Sequence, residues 1–246
     1  MKKEKKIKNS VEPVSISSTK KILDQMINSI CKIKIKKANA TGFFCRTQLE
    51  TNKNIYFLMT NYHVLDEQFY KENKEINLLL NDDTEALVID LTFNRRTYFN
   101  KDFDVAMVEL KELDKVKSYL ELDENLFKEN EKVFYEDKSI YLMGYPNGKK
   151  TCVSYGLLTN INGNNITHTC STENGSSGSP ILNLENNKVI GIHKEGSVTF
   201  NFNLGTFLKY PLNDFYEKNG IIRKKNNIII EKDDKINNIS NLPLIP

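Results

Sequence analysis

The sequence has no tryptophan, little cysteine and no long apolar run. Four cysteines are spread over 246 residues, and no two of them form a CxxC pair: Cys31, Cys45, Cys152 and Cys170. This sparse pattern favours free thiols in a reducing compartment over a disulfide framework or a zinc site. No segment approaches the run of about 18 apolar residues that spans a bilayer, and the N-terminus lacks the apolar core of a secretion signal. We therefore expect a cytoplasmic protein without a membrane partner.

A large excess of one charge sign is also absent. The formal net charge is +3 while 27% of the residues are charged, so acidic and basic side chains are mixed over the surface. This balance gives no basic footprint of the kind that binds nucleic acid, and we expect no nucleic-acid partner. The length is sufficient for one large all-β domain or two small ones, each with its own core.

Short β-like segments bounded by Asn, Asp, Gly or charged residues dominate the chain. We predict helices at 21–30 and in TFLKYPLNDFYEKN, a connector at 111–130, and an all-β protein otherwise. The predicted strands are CKIKIKK, ATGFFCRTQ, IYFLMTN, INLLLND, ALVIDLTF and DVAMVEL, followed by KVFYED, SIYLMGYP, TCVSYGLLTNI, NITHTCST, SPILNLE, KVIGIHKEG and VTFNFN. The domain plan is a flexible basic arm (1–20), a first barrel (21–110), the connector (111–130), a second barrel with a C-terminal helix (131–219) and a low-complexity tail (220–246).

Three separated residues offer the parts of a hydrolytic site. Acyl transfer by a hydroxyl needs a base beside it, an acid that orients the base, and donors for the oxyanion. In GSSGSP, Ser177 lies in a glycine-rich loop where the amides of Gly175 and Ser177 can point together at an oxyanion. His63 ends the apolar run YFLMTNY, and Asp104 heads DVAMVEL, where a semi-buried carboxylate needs a partner.

The segments TNYHVL, DFDVAMVEL and GSSGSP, in this order, resemble the motifs around the His, Asp and Ser of chymotrypsin-like (trypsin-like) serine proteases. The resemblance covers about residues 30–215. It implies two six-stranded antiparallel Greek-key β-barrels with a C-terminal helix, and a catalytic triad of Ser177 as nucleophile, His63 as base and Asp104 as its orienting acid. A serine endopeptidase of this kind acts on polypeptide substrates and requires no metal or organic cofactor.

The glutamyl endopeptidase branch of that superfamily is the closer resemblance. TNYHVL, GYPNGKK and STENGSSGSPILNLENNKVIGIH follow the patterns of that branch. By this resemblance His193 and Thr172 would hold an acidic side chain of the residue before the cut, through one charge-assisted and one neutral hydrogen bond. Secreted members of the branch also use a freed N-terminal amine beside the pocket. This chain departs from them because it shows no secretion signal. It also has Val64 where many animal trypsin-like proteases carry a disulfide cysteine.

Other interpretations of the same residues stay open. GSSGSP alone is compatible with a structural turn, His63 with a buried histidine, and Asp104 with a residue that caps a backbone amide. A first alternative function is a catalytically inactive protease-like module that binds peptides or a partner protein. A second is a processing protease with one target or an activating partner, docked by the basic arm. His168 has no motif of its own, and we interpret it as a barrel or surface residue.

Overall fold

The computed structural model describes residues 10–35, 38–50, 53–130, 132–197, 201–223 and 229–231. The helices are α1 (Ile16–Asn28), α2 (Glu67–Glu72), α3 (Lys132–Tyr135) and α4 (Lys209–Lys218). The first strands are β1 (Ile30–Ile35), β2 (Ala38–Glu50), β3 (Lys53–Thr60), β4 (Glu75–Leu80), β5 (Glu85–Asp90), β6 (Thr97–Asn100), β7 (Val105–Glu109) and β8 (Leu120–Glu121). The later strands are β9 (Ser139–Gly144), β10 (Cys152–Asn162), β11 (Asn165–His168), β12 (Pro180–Asn183), β13 (Lys188–Gly196), β14 (Asn203–Phe207), β15 (Ile221–Arg223) and β16 (Ile229–Glu231).

The second half of the chain forms a closed six-stranded barrel in the order β10-β11-β14-β13-β12-β9. Neighbouring strands are antiparallel, and β9 pairs with β10 to close the ring. Branched aliphatic side chains fill the interior, because alternate residues of each strand point inward. This confirms the predicted barrel and the all-β class, and α4 provides the expected C-terminal helix.

The first half is an eight-stranded sheet rather than the six-stranded barrel that we expected. Its strands follow the order β5-β4-β1-β2-β3-β7-β6, and β8 adds a parallel pair in which Cys45 faces Leu120. In the described part of the chain β5 and β6 are not paired with each other, so the path stays open. Arg95 connects the last residues of β5 and β7. Its guanidinium donates to the carbonyls of Asp90 (2.8 Å) and Glu109 (2.9 Å).

Both faces of the first sheet are buried. Along β2, Phe44 packs into a core enclosed by the first half, whereas Phe43 points into a second core that spans both halves. In that shared core Phe57 of β3 meets Phe215 of α4 edge to face, with ring centroids 5.3 Å apart. The two halves are therefore joined by continuous apolar packing.

Residues 10–20 were predicted to belong to a flexible basic arm, but in the structure they are ordered and include the start of α1. Helix α1 begins at Ile16, capped by Ser15, whose hydroxyl accepts a hydrogen bond from the Ser18 amide at 3.1 Å. Before the cap, Val11 and Val14 pack against the shared core, and this contact holds the segment in place. Residues 1–9 lie outside the described part of the chain.

Helix α1 lies against the second barrel through one buried polar contact. Gln25 donates to the Asn187 carbonyl at 3.0 Å and accepts from the Tyr141 hydroxyl at 2.7 Å. Ile22, 2% exposed, adds apolar packing on the same face. The predicted helix at 21–30 is thus present, and it extends further towards the N-terminus than its apolar residues indicate.

The predicted strand KVFYED is wrong. Residues Lys132–Tyr135 form the single helical turn α3 instead. Consecutive apolar residues cannot both face one core from a strand, whereas Phe134 and Tyr135 both reach the shared core from a helical turn. The Tyr135 ring packs against Phe207 at 5.7 Å between centroids.

The end of the second half also differs from prediction. Of VTFNFN, residues 198–200 lie outside the described part, and the strand there is β14, which begins at Asn203. Because β14 continues to Phe207 to close the barrel, α4 begins only at Lys209. Gly205 pairs with His193 of β13 and with Ile166 of β11, which leaves no room for a helix at this point.

The connector and the tail contain structure that was not predicted. The 111–130 segment includes β8, and its Leu120 and Leu126 are buried in the shared core. In the tail, Ile221–Arg223 and Ile229–Glu231 form a two-stranded antiparallel sheet. The remaining tail residues, 224–228 and 232–246, lie outside the described part.

Candidate active site

His63 is presented by a turn that follows β3. The carbonyl of Asn61 accepts hydrogen bonds from the amides of Val64 (3.2 Å) and Leu65 (3.1 Å). Val64 and Leu65 are buried in the core of the first half and anchor the turn. The His63 side chain itself is 51% exposed. A fixed turn therefore offers an accessible imidazole.

Asp104 holds that imidazole with both carboxylate oxygens. Its Oδ2 lies 2.9 Å from His63 Nδ1, and its Oδ1 accepts from the His63 amide at 3.0 Å. The residue has a φ of 53°, in the left-handed region that Asp tolerates better than most side chains. Asn61 secures this backbone by donating to the Asp104 carbonyl at 3.0 Å.

The Asp104 contact determines which nitrogen of His63 carries the proton. An ionised carboxylate is only an acceptor, so Nδ1 is the donor and Nε2 keeps its lone pair. Within the described residues His63 Nε2 has no hydrogen-bond partner. The exposed nitrogen is therefore ready to accept a proton from a neighbouring group.

The loop Asn174–Ser179 carries the serine between two glycines with positive φ. Gly178 has φ 87°, and a Cβ there would lie 2.1 Å from the Thr41 carbonyl oxygen, so only glycine fits. The Gly178 amide donates to the His193 carbonyl at 3.1 Å, and the His193 amide donates to the Ser179 carbonyl at 2.9 Å. The loop is thereby fastened to β13.

Ser177 is half-buried and does not contact His63 through a hydrogen bond in this structure. Its hydroxyl donates to the carbonyl of Lys194 at 3.3 Å, a long contact. The structure thus brings His63 and Asp104 together as predicted, and it places the Ser177 hydroxyl on β13.

Two backbone amides of the loop have no protein acceptor among the described residues. Within the described chain, neither Gly175 nor Ser177 donates its amide proton to a protein acceptor, while the amide of Ser176 between them donates to the Glu173 carbonyl at 3.0 Å. Unpaired amide donors beside a hydroxyl are the arrangement that an oxyanion requires. The two amides are those that the sequence analysis named, and their role as oxyanion donors stays a prediction.

His193 and His168 form a buried pair behind the loop. His193 Nδ1 lies 3.2 Å from His168 Nε2, and the two side chains are 2% and 0% exposed. Burial lowers the pKa of His168 to about 3 and that of His193 to about 4, and nearby His63 also lowers the latter. Both rings are neutral at pH 7. The His168 Nδ1 is buried without a hydrogen-bond partner in the described chain.

Thr172 is half-buried beside the end of β13. Its hydroxyl lies 4.0 Å from the position that a Cβ on Gly196 would take. Between Gly196 and His193, the ammonium of Lys194 donates to Asn165 Oδ1 at 2.8 Å. Burial lowers the pKa of Lys194, while the Asp104 carboxylate opposes that shift. The Lys194 ammonium and the Asp104 carboxylate are therefore close enough for their charges to interact.

His168 lies in a strand of the barrel, one of the two positions interpreted for it from sequence, but its contact with His193 was not predicted. The two histidines in contact are 25 positions apart in the sequence, and no local motif indicates the contact. The signal available was the alternation in NITH, which places His168 on the same barrel face as the fully buried Ile166. A histidine on an apolar face requires a polar partner, and the chain has only three histidines.

The described residues hold no cluster of three or more His, Cys, Asp or Glu side chains that suits a metal ion. All four cysteines are free thiols, of which Cys152 alone is exposed. The helices in the described ranges are all too short or too polar to cross a bilayer.

Comparison with known families identifies the class of this chain. The model of the trypsin-like peptidase domain matches residues 40–192, which is more than half of the sequence. The chain therefore belongs to the trypsin-like peptidase family. The match includes the positions of His63, Asp104 and Ser177.

Among curated proteins, the glutamyl endopeptidase of Staphylococcus aureus (strain MW2) is 28% identical over 191 residues, covering 73% of this chain. The chain spans 57% of that relative's length, somewhat more than half. Solved structures share the fold. The Rv3671c protease from M. tuberculosis in its active form has a TM-score of 0.58 at 15% identity and covers 91% of this chain and 95% of its own. A Glu endopeptidase in complex with MPD has a TM-score of 0.57 at 18% identity and covers 78% and 90%.

Proposed function

We propose that the protein is a serine endopeptidase that hydrolyses peptide bonds through an acyl-enzyme on Ser177. The contact between Asp104 and His63, which leaves Nε2 without a hydrogen-bond partner among the described residues, is the observation that carries this proposal. Membership of the trypsin-like peptidase family supports a polypeptide substrate.

The reaction begins when the Ser177 hydroxyl leaves the Lys194 carbonyl and turns towards His63. The contact it gives up is long, at 3.3 Å, so a rotation about χ1 costs little. His63 Nε2 takes the hydroxyl proton as Oγ attacks the scissile carbonyl, and the imidazolium later donates that proton to the leaving amine. Asp104 stabilises the imidazolium, and water then releases the acyl group by the same steps.

An acidic residue before the cut is the proposed specificity. Neutral His193 donates a hydrogen bond to the incoming carboxylate, and the Thr172 hydroxyl supplies a second. The negative charge of the substrate opposes the effect of burial and raises the pKa of His193 from its lowered value. His168 lies on the other side of His193, at 3.2 Å, and fixes the orientation of that ring.

One observation favours a second candidate, a protease-like module that binds peptides without cleaving them. The Ser177 hydroxyl is bound to Lys194 rather than to His63, and a site that kept this arrangement would be inactive. A processing protease docked by its basic arm is the remaining alternative, and residues 1–9 of that arm lie outside the described chain. A reducing compartment, expected from the sparse cysteine pattern of the sequence, is part of the proposal for any of these functions.

A fluorophosphonate probe tests the chemistry directly, because it labels only a serine whose hydroxyl is activated. We expect labelling of the wild type, none of Ser177→Ala, and normal labelling of Ser171→Ala, in which an exposed serine outside the loop is removed. No labelling of a folded wild type would favour the binding module. For specificity, peptides with Glu and Gln before the cut form a matched pair, and equal cleavage of both would remove the acidic preference.

A further inference from the structure

Thr41, a fully buried residue of β2, is bonded to the loop of Ser177 from the other half of the molecule. Its hydroxyl donates to the Gly175 carbonyl at 2.8 Å and accepts from the Tyr145 amide at 3.0 Å. Its own amide donates to the Ser177 carbonyl at 2.9 Å. One residue from the first half therefore holds two carbonyls of the nucleophile loop, one through its hydroxyl and one through its backbone amide.

The neighbouring carbonyls are held as well. The turn after β9 brings the amide of Asn147 onto the Asn174 carbonyl at 2.5 Å. The Ser176 carbonyl accepts from the Ser179 amide at 3.0 Å. Every carbonyl from Asn174 to Ser177 thus has a donor.

These bonds fix where the free amides point. A trans peptide is planar, and its N–H points away from its C=O. The Asn174 carbonyl is held by Asn147, so the Gly175 amide must face the opposite side. The Ser176 carbonyl is likewise held, which directs the Ser177 amide. The turn packs so closely on Gly175 that a Cβ there would lie 2.6 Å from the Tyr145 carbonyl oxygen.

We propose that Thr41 is a positioning residue that, together with the Asn147 turn, keeps the Gly175 amide directed at the oxyanion before substrate arrives. This rests on the proposed function of Ser177. Thr41 touches neither substrate nor reacting atoms in this role. Without its hydroxyl, the Gly175 carbonyl and the Tyr145 amide both lose their partner. This loosens the turn whose Asn147 amide holds the Asn174 carbonyl, so the Asn174–Gly175 peptide can turn and remove one oxyanion donor.

Thr41→Val tests this assignment, because valine keeps the shape of threonine and lacks the hydroxyl. Thr41→Ser is the matched control, since it retains both hydroxyl bonds. Complete loss of an oxyanion donor costs about 10² to 10³ in kcat, so a partly turned peptide in Thr41→Val should lower kcat about 10- to 100-fold. The KM should stay within about twofold.

A merely structural role for Thr41 would lower the number of active molecules and leave the survivors unchanged. Rates are therefore expressed per site titrated with the fluorophosphonate. Affinity for a peptidyl boronic acid is the second measure, because its adduct with Ser177 Oγ places a boronate oxygen among the oxyanion donors. We expect this affinity to fall by the same factor as kcat in Thr41→Val and to be retained in Thr41→Ser.

Crystal structures of the wild type and Thr41→Val complete the test independently of activity. The expected result is an Asn174 carbonyl bound to Asn147 in the wild type and turned away in Thr41→Val. An unchanged peptide in Thr41→Val, or unchanged kcat and boronate affinity per titrated site, overturns the assignment. Absence of labelling in the wild type overturns the proposed function instead, and the orientation of the peptide then still decides the role of Thr41.

Discussion

At the scale of single residues, Asp104 sets the proton position on His63. Asp104→Asn preserves the shape of the side chain, but its amide group turns a donor towards Nδ1 and favours the wrong tautomer. We expect kcat to fall by about 10⁴, as for the same change in the Ser-His-Asp template, with little change in stability. The measurement is steady-state cleavage of a peptide substrate.

The control for that change is Asp102→Asn, which lies in the same turn and is exposed. It removes the same charge without touching His63, so its kcat should match the wild type. Equal losses in both variants would show that net charge, not the contact with His63, matters.

The buried histidine pair makes stability depend on pH. Burial holds the pKa of His168 at about 3 and that of His193 at about 4, below the ordinary value of 6.5. As pH falls below 6.5 the unfolded chain takes up protons at these residues and the folded chain does not. The pair therefore contributes stability above pH 6.5 that is lost as pH falls, down to about 4 for His193 and about 3 for His168.

Urea denaturation at several pH values between 7.5 and 4.5 measures this loss. His168→Gln removes one of the two groups, so its unfolding free energy should fall less steeply over that interval than that of the wild type. Parallel pH dependences of the two proteins would contradict the role of His168. Acidic side chains contribute equally to both and cancel in the comparison.

At the scale of elements, α1 depends on Gln25 for its place on the second barrel. Gln25→Ala leaves the Asn187 carbonyl without its donor and the Tyr141 hydroxyl without its acceptor, and both groups lie in a buried contact. We expect the free energy of unfolding to fall by about 1–3 kcal/mol. Urea denaturation measures it, with Leu23→Ala as the control, because Leu23 lies on the same helix at 55% exposure. Equal losses in the two variants would show that the contact is unimportant.

The elements that could be predicted from sequence are those whose spacing of apolar residues fits only one type of secondary structure. Alternation in KVIGIHKEG and DVAMVEL reflects a strand with a core on at least one side, and both strands form as predicted. KVFYED misled because its apolar pair reaches the core from a helical turn, and a six-residue window does not separate the two periods. The strand β6 was missed because TYFN is short and only Tyr98 is buried.

The candidate site was predicted to a similar extent. His63, Asp104 and the loop of Ser177 lie in local motifs, and the order of these motifs along the chain indicated that the three belong to one site. Thr41 and His168 act through contacts with residues 134 and 25 positions away. Nothing in their local sequence records those contacts, because a buried threonine or histidine has the same appearance in any strand. Whether the Ser177 hydroxyl would face His63 or Lys194 depends on a single rotamer, which no sequence pattern sets.

At the scale of the whole molecule, the shared core predicts that the halves unfold together. Phe43, Phe57 and Met107 of the first half lie in the same cluster as Phe207 and Phe215 of the second. Opening either half would expose the apolar surface of both, so a single cooperative transition is expected despite the two-part fold. The chain has no tryptophan, so tyrosine fluorescence and far-UV circular dichroism are the two probes. Denaturation curves that do not superimpose would contradict the expectation.

The bond between Thr41 and the Gly175 carbonyl has a consequence for the time at which chemistry begins. During synthesis the first half emerges before Ser177 has been made, and the nucleophile loop takes its shape only when the second barrel closes onto β2. A partly translated or half-folded chain thus contains His63 and Asp104 but no assembled oxyanion site. Under the proposed function, a growing chain would be unable to cut its neighbours on the ribosome, and hydrolysis would start only once the second barrel has closed onto β2.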